Sequence, residues 1–549
     1  MFRGRVALFA YSVAVLFFRL GSRSITDADE VRYALTSRAM AVTGNWWTPH
    51  FDGAPIFSKP PLFFWLTGAA LKIFGPSEWT IRVLPAFAGI ACVFLLAALG
   101  ARLYGEAAGL GAGFILATTI PFLYEHGART GVMDSLLLAL LCASFLFVLK
   151  SGEKSGWWLL AAALAMGLAS LTKNLMGMAA AAAAAVFLVR KGRWRKYTPA
   201  QIAAAVILLL ALSFGWIAGM AIAHPHDFEV VFFRKEMLER ALEPAKFSRG
   251  RHGGGFFRRS VAFAESSFRG FVPWCFLVPL ACWQAFRRNR EERLADELPT
   301  LWLAVMGLAV LTVQSRFPWY AFLVDVPLAL LLGRVLAVSF AEGVLPVLPG
   351  AALSSVVVGF LFFVPNLRYS PVERDSMQST VATVFVSPRL GMSFAAAIAA
   401  VAAIAVLFPR WPRPLLRAAR GAVLLAAAVF AAAPLRTAGF RWPFDDFLRS
   451  LRAADRSPGA RLVLWRPPPA TFLLDHDLDW CLAKYWNGPI TEVKNRSELE
   501  RARKVGPAGA WVLPAEESLP VESGGGARRL AIGELGGRDY VILARENRP

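Results

Sequence analysis

Apolar residues come in long uninterrupted runs over the first 433 positions and in short alternating ones after that. A helix that crosses a bilayer needs about 20 apolar residues, with roughly 17 as a practical minimum. The runs predict a first span over Val6–Phe18 and others near 84–103, 108–124, 132–149, 157–172, 174–190 and 201–222. Six more fall near 270–286, 299–314, 318–338, 345–364, 391–408 and 415–433, for thirteen in all. The run Pro61–Phe74 is about 14 residues long and broken by Lys72, which suits an interfacial helix rather than a crossing one. Arg3 and Arg5 precede the first span, and no small-x-small cleavage site follows it, so it reads as an uncleaved signal anchor.

Beyond Ala433, runs such as Arg461–Trp465, Ala510–Leu513 and Tyr540–Leu543 alternate with Gly, Pro and charge, and helix-like stretches lie at Phe444–Ala454 and Ser497–Arg503. That pattern predicts a small α/β domain. The expected fold is mostly α, with a membrane domain over 1–433, interfacial helices in two long loops (about 19–83 and 223–269), and an α/β domain over 434–549.

Composition agrees with a membrane protein: 56% of residues are hydrophobic and only 18% charged, where soluble domains carry about a quarter charged. The net charge of +21 would point to nucleic acid on a soluble chain. Here the basic residues sit between apolar runs, so lipid phosphate and membrane orientation are the better readings. Of the five cysteines, four lie in apolar segments and Cys481 stands alone, which gives no disulfide framework. With the N-terminus inside, the short inner loops hold Arg102, Lys150, Lys154, the Arg190–Lys196 cluster, Arg287–Arg293 and Arg410–Arg420. That matches the positive-inside rule, and counting Pro61–Phe74 as a span would invert every later loop. The C-terminus then lies outside.

The polar groups that interrupt apolar surroundings collect on that outer side. Asp27 is a candidate helix N-cap. It is followed by Asp29, Glu30, Arg32 and Tyr33, with Asp29 sharing a helix face with the latter two at i+3 and i+4. A carboxylate held by a guanidinium can act as a general base, and the same spacing also suits an ordinary helix start with a surface ion pair. Lys59 precedes two prolines that fix an extended entry into the interfacial helix. It suits a phosphate oxygen or a snorkelling anchor. Arg129 and Asp134, then Lys173, then Arg316 and Tyr320 occupy the third-to-fourth, fifth-to-sixth and ninth-to-tenth connections. Ionisable groups at such depth are costly unless paired or used. The second long loop adds basic residues, Arg240 among them, beside Phe228, Phe232, Phe233, Phe256 and Phe257. It reads as an amphipathic helix on headgroups or a clamp for an anionic lipid.

The runs Asp29-Glu30-x-Arg32-Tyr33 and Lys59-Pro60-Pro61-Leu62 resemble the GT-C superfamily of membrane glycosyltransferases, in the branch of the lipid A aminoarabinose transferase and the protein-mannosyltransferase-like proteins. The resemblance continues through Trp79–Pro85, Ala128–Thr130 with Asp134, Leu171–Lys173, Phe233–Arg240 and Arg316–Tyr320, covering roughly residues 10–340. It implies sugar transfer from a polyprenyl phosphate, typically undecaprenyl phosphate, to an outer acceptor, with inversion. By that likeness Asp29 activates the acceptor and Asp134 joins it as catalytic. Arg32, Lys59, Lys173 and Arg240 bind the donor phosphate with Tyr320 and Arg316, and Glu30, Tyr33 and Arg129 support them. In the aminoarabinose transferase a Glu and a His contribute to a metal site where this chain has Ser58 and Met237, neither of them a credible zinc ligand; either the protein works without that divalent metal, which is the expectation, or Glu30 and a histidine elsewhere, such as His224 or His226, hold it.

The implied partners are a polyprenyl-phosphate-linked sugar, a glycolipid, glycan or protein acceptor, and membrane lipid. The protein is expected in the bacterial inner membrane, as a monomer, without nucleic acid. A transporter or flippase of a lipid-linked anionic sugar is the alternative, but transporters show paired repeats and broken midplane helices that this chain lacks. A structural subunit that binds acidic lipid would have no use for Asp29 beside Arg32.

Overall fold

An apolar helix keeps its backbone hydrogen bonds to itself, and that is what lets the long runs of this sequence exist away from water. The computed structural model describes residues 2–341 except 26, 152–155, 240–255, 288–289 and 313–317. Beyond them it describes 424–429, 431–432, 448–453, 461–465, 479–480, 482, 484, 490–493, 496–504, 508–514, 527–535 and 538–545. The predicted spans near 345–364 and 391–408, most of 415–433, and both Arg240 and Arg316 lie outside the described residues. The described part is mostly helical, with its one large sheet near the C-terminus. The chain divides into two compact units: 1–18, 45–66 and 82–436 form one, and 19–44, 67–81 and 437–549 the other.

The first unit is helical. It contains α1 (Phe2–Phe17), a two-residue hairpin of β1 (His50–Phe51) and β2 (Ala54–Pro55), and the start of α3 (Leu62–Phe74). The rest of α4 (Glu78–Tyr104) follows, then α5 (Glu106–Ala117), α6 (Ile120–Tyr124), α7 (Asp134–Ser151), α8 (Trp157–Lys173), α9 (Met176–Arg190) and α10 (Pro199–Ala223). After a short turn and a π-helical stretch, Phe228–Glu239, come α11 (Phe256–Gly270), α12 (Val278–Arg287), α13 (Arg290–Thr312) and α14 (Phe322–Ala341). Among the described residues, three helices are long and apolar enough to cross a membrane: Glu78–Tyr104, Asp134–Ser151 and Pro199–Ala223. Several shorter apolar helices, including Trp157–Lys173 and Met176–Arg190, fall where spans are predicted.

One predicted span is interrupted. The run near 108–124 divides into α5 and α6 at Thr118 and Thr119, where the Thr118 hydroxyl donates to Phe114 O (2.8 Å) and Pro121 enters the next helix at its first turn. An apolar count cannot register such a break, because the hydroxyl and the proline act through backbone geometry. Small residues bring α5 and α14 together: a Cβ on Gly333 would lie 2.5 Å from Ala108 O, so a larger residue would push the two backbones apart.

Helix direction defines two ends of this unit. α7 begins at Asp134 and finishes at Ser151, whose hydroxyl meets the Tyr197 hydroxyl at 2.6 Å. α8 returns to Lys173 beside Asp134, and α9 leads away again to Arg190, beside Glu297 near the start of α13.

The second unit includes α2 (Ala28–Thr43), the end of α3, the start of α4 and the C-terminal sheet. The sheet runs in the order β4 (Ile490–Val493), β3 (Arg461–Trp465), β5 (Ala508–Pro514), β7 (Arg538–Arg545), β6 (Ala527–Leu535). β3 is parallel to both of its neighbours; β5–β7 and β7–β6 are antiparallel. Alternate residues feed two cores: Leu462, Leu464, Val512 and Ile542 on one side, Val463, Leu513, Val541 and Leu543 on the other. α15 (Arg496–Lys504) covers the second face through Leu499 and Ala502. Burial on both faces explains why β3 and β7 read as continuous apolar runs.

Candidate active site

The Asp134 end of the helical unit is built from the starts and ends of helices. Asp134 opens α7, where the positive end of the helix dipole favours an anion. Lys173 closes α8, and its Nζ lies 2.6 Å from Asp134 Oδ1, with both side chains almost fully buried. His126 Nδ1 is 3.9 Å from Asp134 Oδ2. On the other side of the ammonium, the Tyr320 ring lies 5.2 Å from Nζ, within cation–π range. Three of the predicted residues, Asp134, Lys173 and Tyr320, are therefore in one place, and His126 joins them.

The backbone around this set is held in unusual conformations. His126 (φ 54°) and Asn174 (φ 34°) both occupy the left-handed region, which costs a non-glycine residue energy and persists only where the surroundings enforce it. Gly127 is required for a different reason: a Cβ there would sit 2.1 Å from Phe122 O. Asn174 Nδ2 donates to Ser58 O at 2.9 Å, tying the end of α8 to the segment that carries Lys59. Phe57, fully buried, packs on the rings of His224 and Phe228, and Lys59 is half-buried two residues later, ahead of Pro60 and Pro61. The same region is closed by Thr48 Oγ1 on His224 Nε2 (3.0 Å) and by Trp216 Nε1 donating to Trp47 O (3.1 Å).

Arg129 has a different task. It is buried and donates to the carbonyls of Val15, Leu16 and Phe18, the free acceptors at the C-terminal end of α1, with the Tyr124 ring 5.7 Å from its guanidinium carbon.

In the second unit, α2 starts as its sequence suggests. Asp27 caps it by accepting from the amides of Asp29 (2.7 Å) and Glu30 (3.3 Å). Asp29 Oδ1 lies 3.5 Å from Arg32 Nη1, and both side chains are only partly covered. Glu30 and Tyr33 point into the interior, at 1% and 3% exposure. Asp29 thus stands at the helix start, partly exposed, with a cation adjacent.

Neither Ser58 nor Met237 fits the zinc position that the family resemblance implies. A serine hydroxyl and a thioether are poor substitutes for Glu and His on zinc. His224 engages Thr48, His226 is exposed, and among the described residues no group of three His, Cys, Asp or Glu side chains gathers.

His126 and Asn174 are the two residues the motif reading passes over. Their signal was a lone polar side chain in a tight connection between apolar runs, beside a residue already singled out.

Comparison with known proteins finds relatives over part of the sequence and solved structures of similar fold. Residues 58–216 match the family model for dolichyl-phosphate-mannose-protein mannosyltransferases. The undecaprenyl phosphate-alpha-4-amino-4-deoxy-L-arabinose arabinosyl transferase of Erwinia tasmaniensis is 28% identical over 325 residues, 57% of this chain and 55% of that protein. The enzyme of the same name from Pseudomonas aeruginosa is 28% identical over 326 residues, 58% of this chain and 56% of the relative. The chain spans about half the length of the curated relatives it matches. Its fold resembles the crystal structure of ArnT from Cupriavidus metallidurans bound to undecaprenyl phosphate: TM-score 0.61, 23% identity, 98% of both chains covered. The apo state of that protein gives 0.62 at 22% identity, covering 99% of this chain and 98% of the other.

Proposed function

We propose that this protein is a polyprenyl-phosphate-dependent glycosyltransferase of the inner membrane. It takes a sugar from an undecaprenyl-phosphate-type donor and passes it, with inversion, to an acceptor on the periplasmic side, most simply a glycolipid such as lipid A. The observation that carries the reading is the Asp134–Lys173–Tyr320 set, with the Lys59 segment tied beside it through Asn174 and Ser58. Support comes from the names of its relatives, which are undecaprenyl phosphate aminoarabinose transferases, and from the neighbouring ArnT structure, which was obtained with undecaprenyl phosphate.

The chemistry follows from charge. A departing phosphate gains negative charge in the transition state, and fixed cations shielded from water lower that barrier strongly. In this reading Lys59, Lys173, Arg32, Arg240 and Arg316 hold the phosphate with Tyr320. Asp134 pairs with Lys173 and holds it in place. Asp29, oriented by Arg32 and flanked by Glu30 and Tyr33, draws the proton from the acceptor hydroxyl as it attacks, with Arg129 keeping the end of α1 in register. The full architecture we propose is thirteen spans, a catalytic membrane domain over 1–433 and a periplasmic domain over 434–549. The N-terminus is cytoplasmic and the working unit is a monomer.

The test is reconstitution in liposomes with a labelled undecaprenyl-phosphate sugar and extracted envelope glycolipids as acceptors. Transfer of label to glycolipid, abolished by Asp29→Asn, is the expected result. Movement of the labelled lipid across the bilayer without cleavage of the sugar–phosphate bond would make the protein a flippase instead.

A further inference from the structure

We propose that one helical turn of the C-terminal domain, carrying Trp480, Leu482 and Lys484, positions α2 and with it Asp29. The proposal rests on the reading of Asp29 given above. Residues 480 and 484 are i and i+4 and share a helix face, whereas 482 points the other way. The structure uses both faces. Leu482 is sunk in the core of the C-terminal sheet with Leu462, Leu464, Val512 and Ile542. Trp480, 1% exposed, packs in a separate cluster with Ile25, Val31, Ala34, Leu71 and Ile81. Ile25 and Val31 lie on either side of Asp29 in the chain, so the indole braces the first turn of the helix on which that carboxylate stands.

Lys484 adds direction to the brace. Its Nζ lies 2.5 Å from Glu78 Oε1, in the first turn of α4, and both side chains are nearly buried, at 5% and 12% exposure. A buried ion pair is a poor source of net stability, but separating its partners strands a buried charge, so it penalises arrangements that pull the two apart. Here the constraint joins two segments 406 residues apart in sequence. Leu71 and Ile81, the ends of α3 and the start of α4, complete the cluster against α2. The turn therefore fixes α2 relative to the sheet through an aromatic contact and a charge pair that nothing in the Asp29–Arg32 pair itself supplies. Trp480 and Lys484 are positioning residues: they act through α2.

The experiment uses the full-length protein in liposomes, with Trp480→Ala, Lys484→Met and the charge swap Glu78→Lys with Lys484→Glu. Amide hydrogen exchange over residues 28–43 and 134–173 is measured alongside turnover of a labelled undecaprenyl-phosphate sugar. We expect both single variants to exchange faster over 28–43 and unchanged over 134–173. Turnover should fall by roughly ten- to a hundredfold, as expected for a reactive group displaced by about 1 Å, with KM for the donor lipid within about twofold. The charge swap restores most of the loss. If Trp480→Ala fails to fold, with exchange raised over 134–173 as well, Lys484→Met decides. Wild-type turnover in a variant whose α2 exchanges faster overturns the proposal, as does unchanged exchange in α2. A wild-type protein with no transfer at all defeats the glycosyltransferase reading instead, while the exchange data still report whether the turn braces α2.

Discussion

The two ends of the helical unit solve the same problem, charge at the end of an apolar helix, in different ways. At the Glu297 end the carboxylates are saturated. Asp296 takes both its oxygens to Arg334 Nη1 (2.9 and 3.0 Å), and Glu297 is shared by Arg190 and by Lys191 (2.6 Å). Glu106 binds Arg5 through two parallel bonds of 2.5 and 2.7 Å. Where the chain turns left-handed there it uses glycine, Gly105 (φ 91°) and Gly192 (φ 62°). At the Asp134 end a single buried lysine meets one carboxylate, a histidine and an aromatic face, and His126 and Asn174 carry left-handed backbone without being glycine. Among the described residues, one end turns on glycines and the other on His126 and Asn174, which is the contrast expected if the Asp134 end is the working one.

That contrast predicts unequal responses to substitution. The largest effect belongs to Lys173→Met, which leaves Asp134 buried without its cation. We expect a loss of about 3–5 kcal/mol in thermal or denaturant unfolding, together with loss of sugar transfer. Adding Asp134→Leu to Lys173→Met removes the orphaned charge, so stability returns close to wild type while transfer stays absent. A double variant that recovers transfer would show the pair to be structural only. Asp296→Ala at the opposite end removes the carboxylate to which Arg334 Nη1 donates; we expect clear destabilisation in a melt with specific activity of the folded fraction within about twofold. Asp325 in α14 offers a sharper comparison. It is 3% exposed and its Oδ2 has no hydrogen-bond partner among the described residues, so Asp325→Asn should leave melting temperature unchanged or raise it.

The smallest effect is at Arg5. The hydrogen bond from its guanidinium, and then its charge, hold the Glu106 carboxyl below the ordinary glutamate value of 4.5. A carboxylate whose pKa falls on folding adds stability above its unfolded value and loses it as pH drops through the folded one. Melts of wild type and Arg5→Met should therefore differ slightly at about pH 7 and converge below 4.5. Because the arginine is exposed, even the neutral-pH difference should be near the limit of detection.

Much of this was legible in the sequence. Long apolar runs foretold the helices, Asp27 foretold the start of α2, and β3, β5 and β7 fell on the short apolar stretches marked as strands. The pairing of Asp134 with Lys173 was legible only as two costly charges on one side; which partner each would take depends on how α7 packs against α8. β4 and β6 were missed because their sequences, Ile490-Thr491-Glu492-Val493 and Ala527–Leu535, mix charge into strands at the two edges of the sheet. Arg129 was legible as a costly cation in a supporting place, but its partners were not, because nothing in its neighbourhood shows that α1 would end against it. The turn at Trp480 was invisible for the same reason: the face carrying Trp480 and Lys484 answers to segments about 400 residues away in the chain.

A structure of the protein with undecaprenyl phosphate bound tests the central claim most directly. The account predicts phosphate density at the Asp134 end, within hydrogen-bond distance of Lys59 and Lys173 and beside the Tyr320 ring. Phosphate seated instead among Arg190, Arg193 and Arg195 would contradict it.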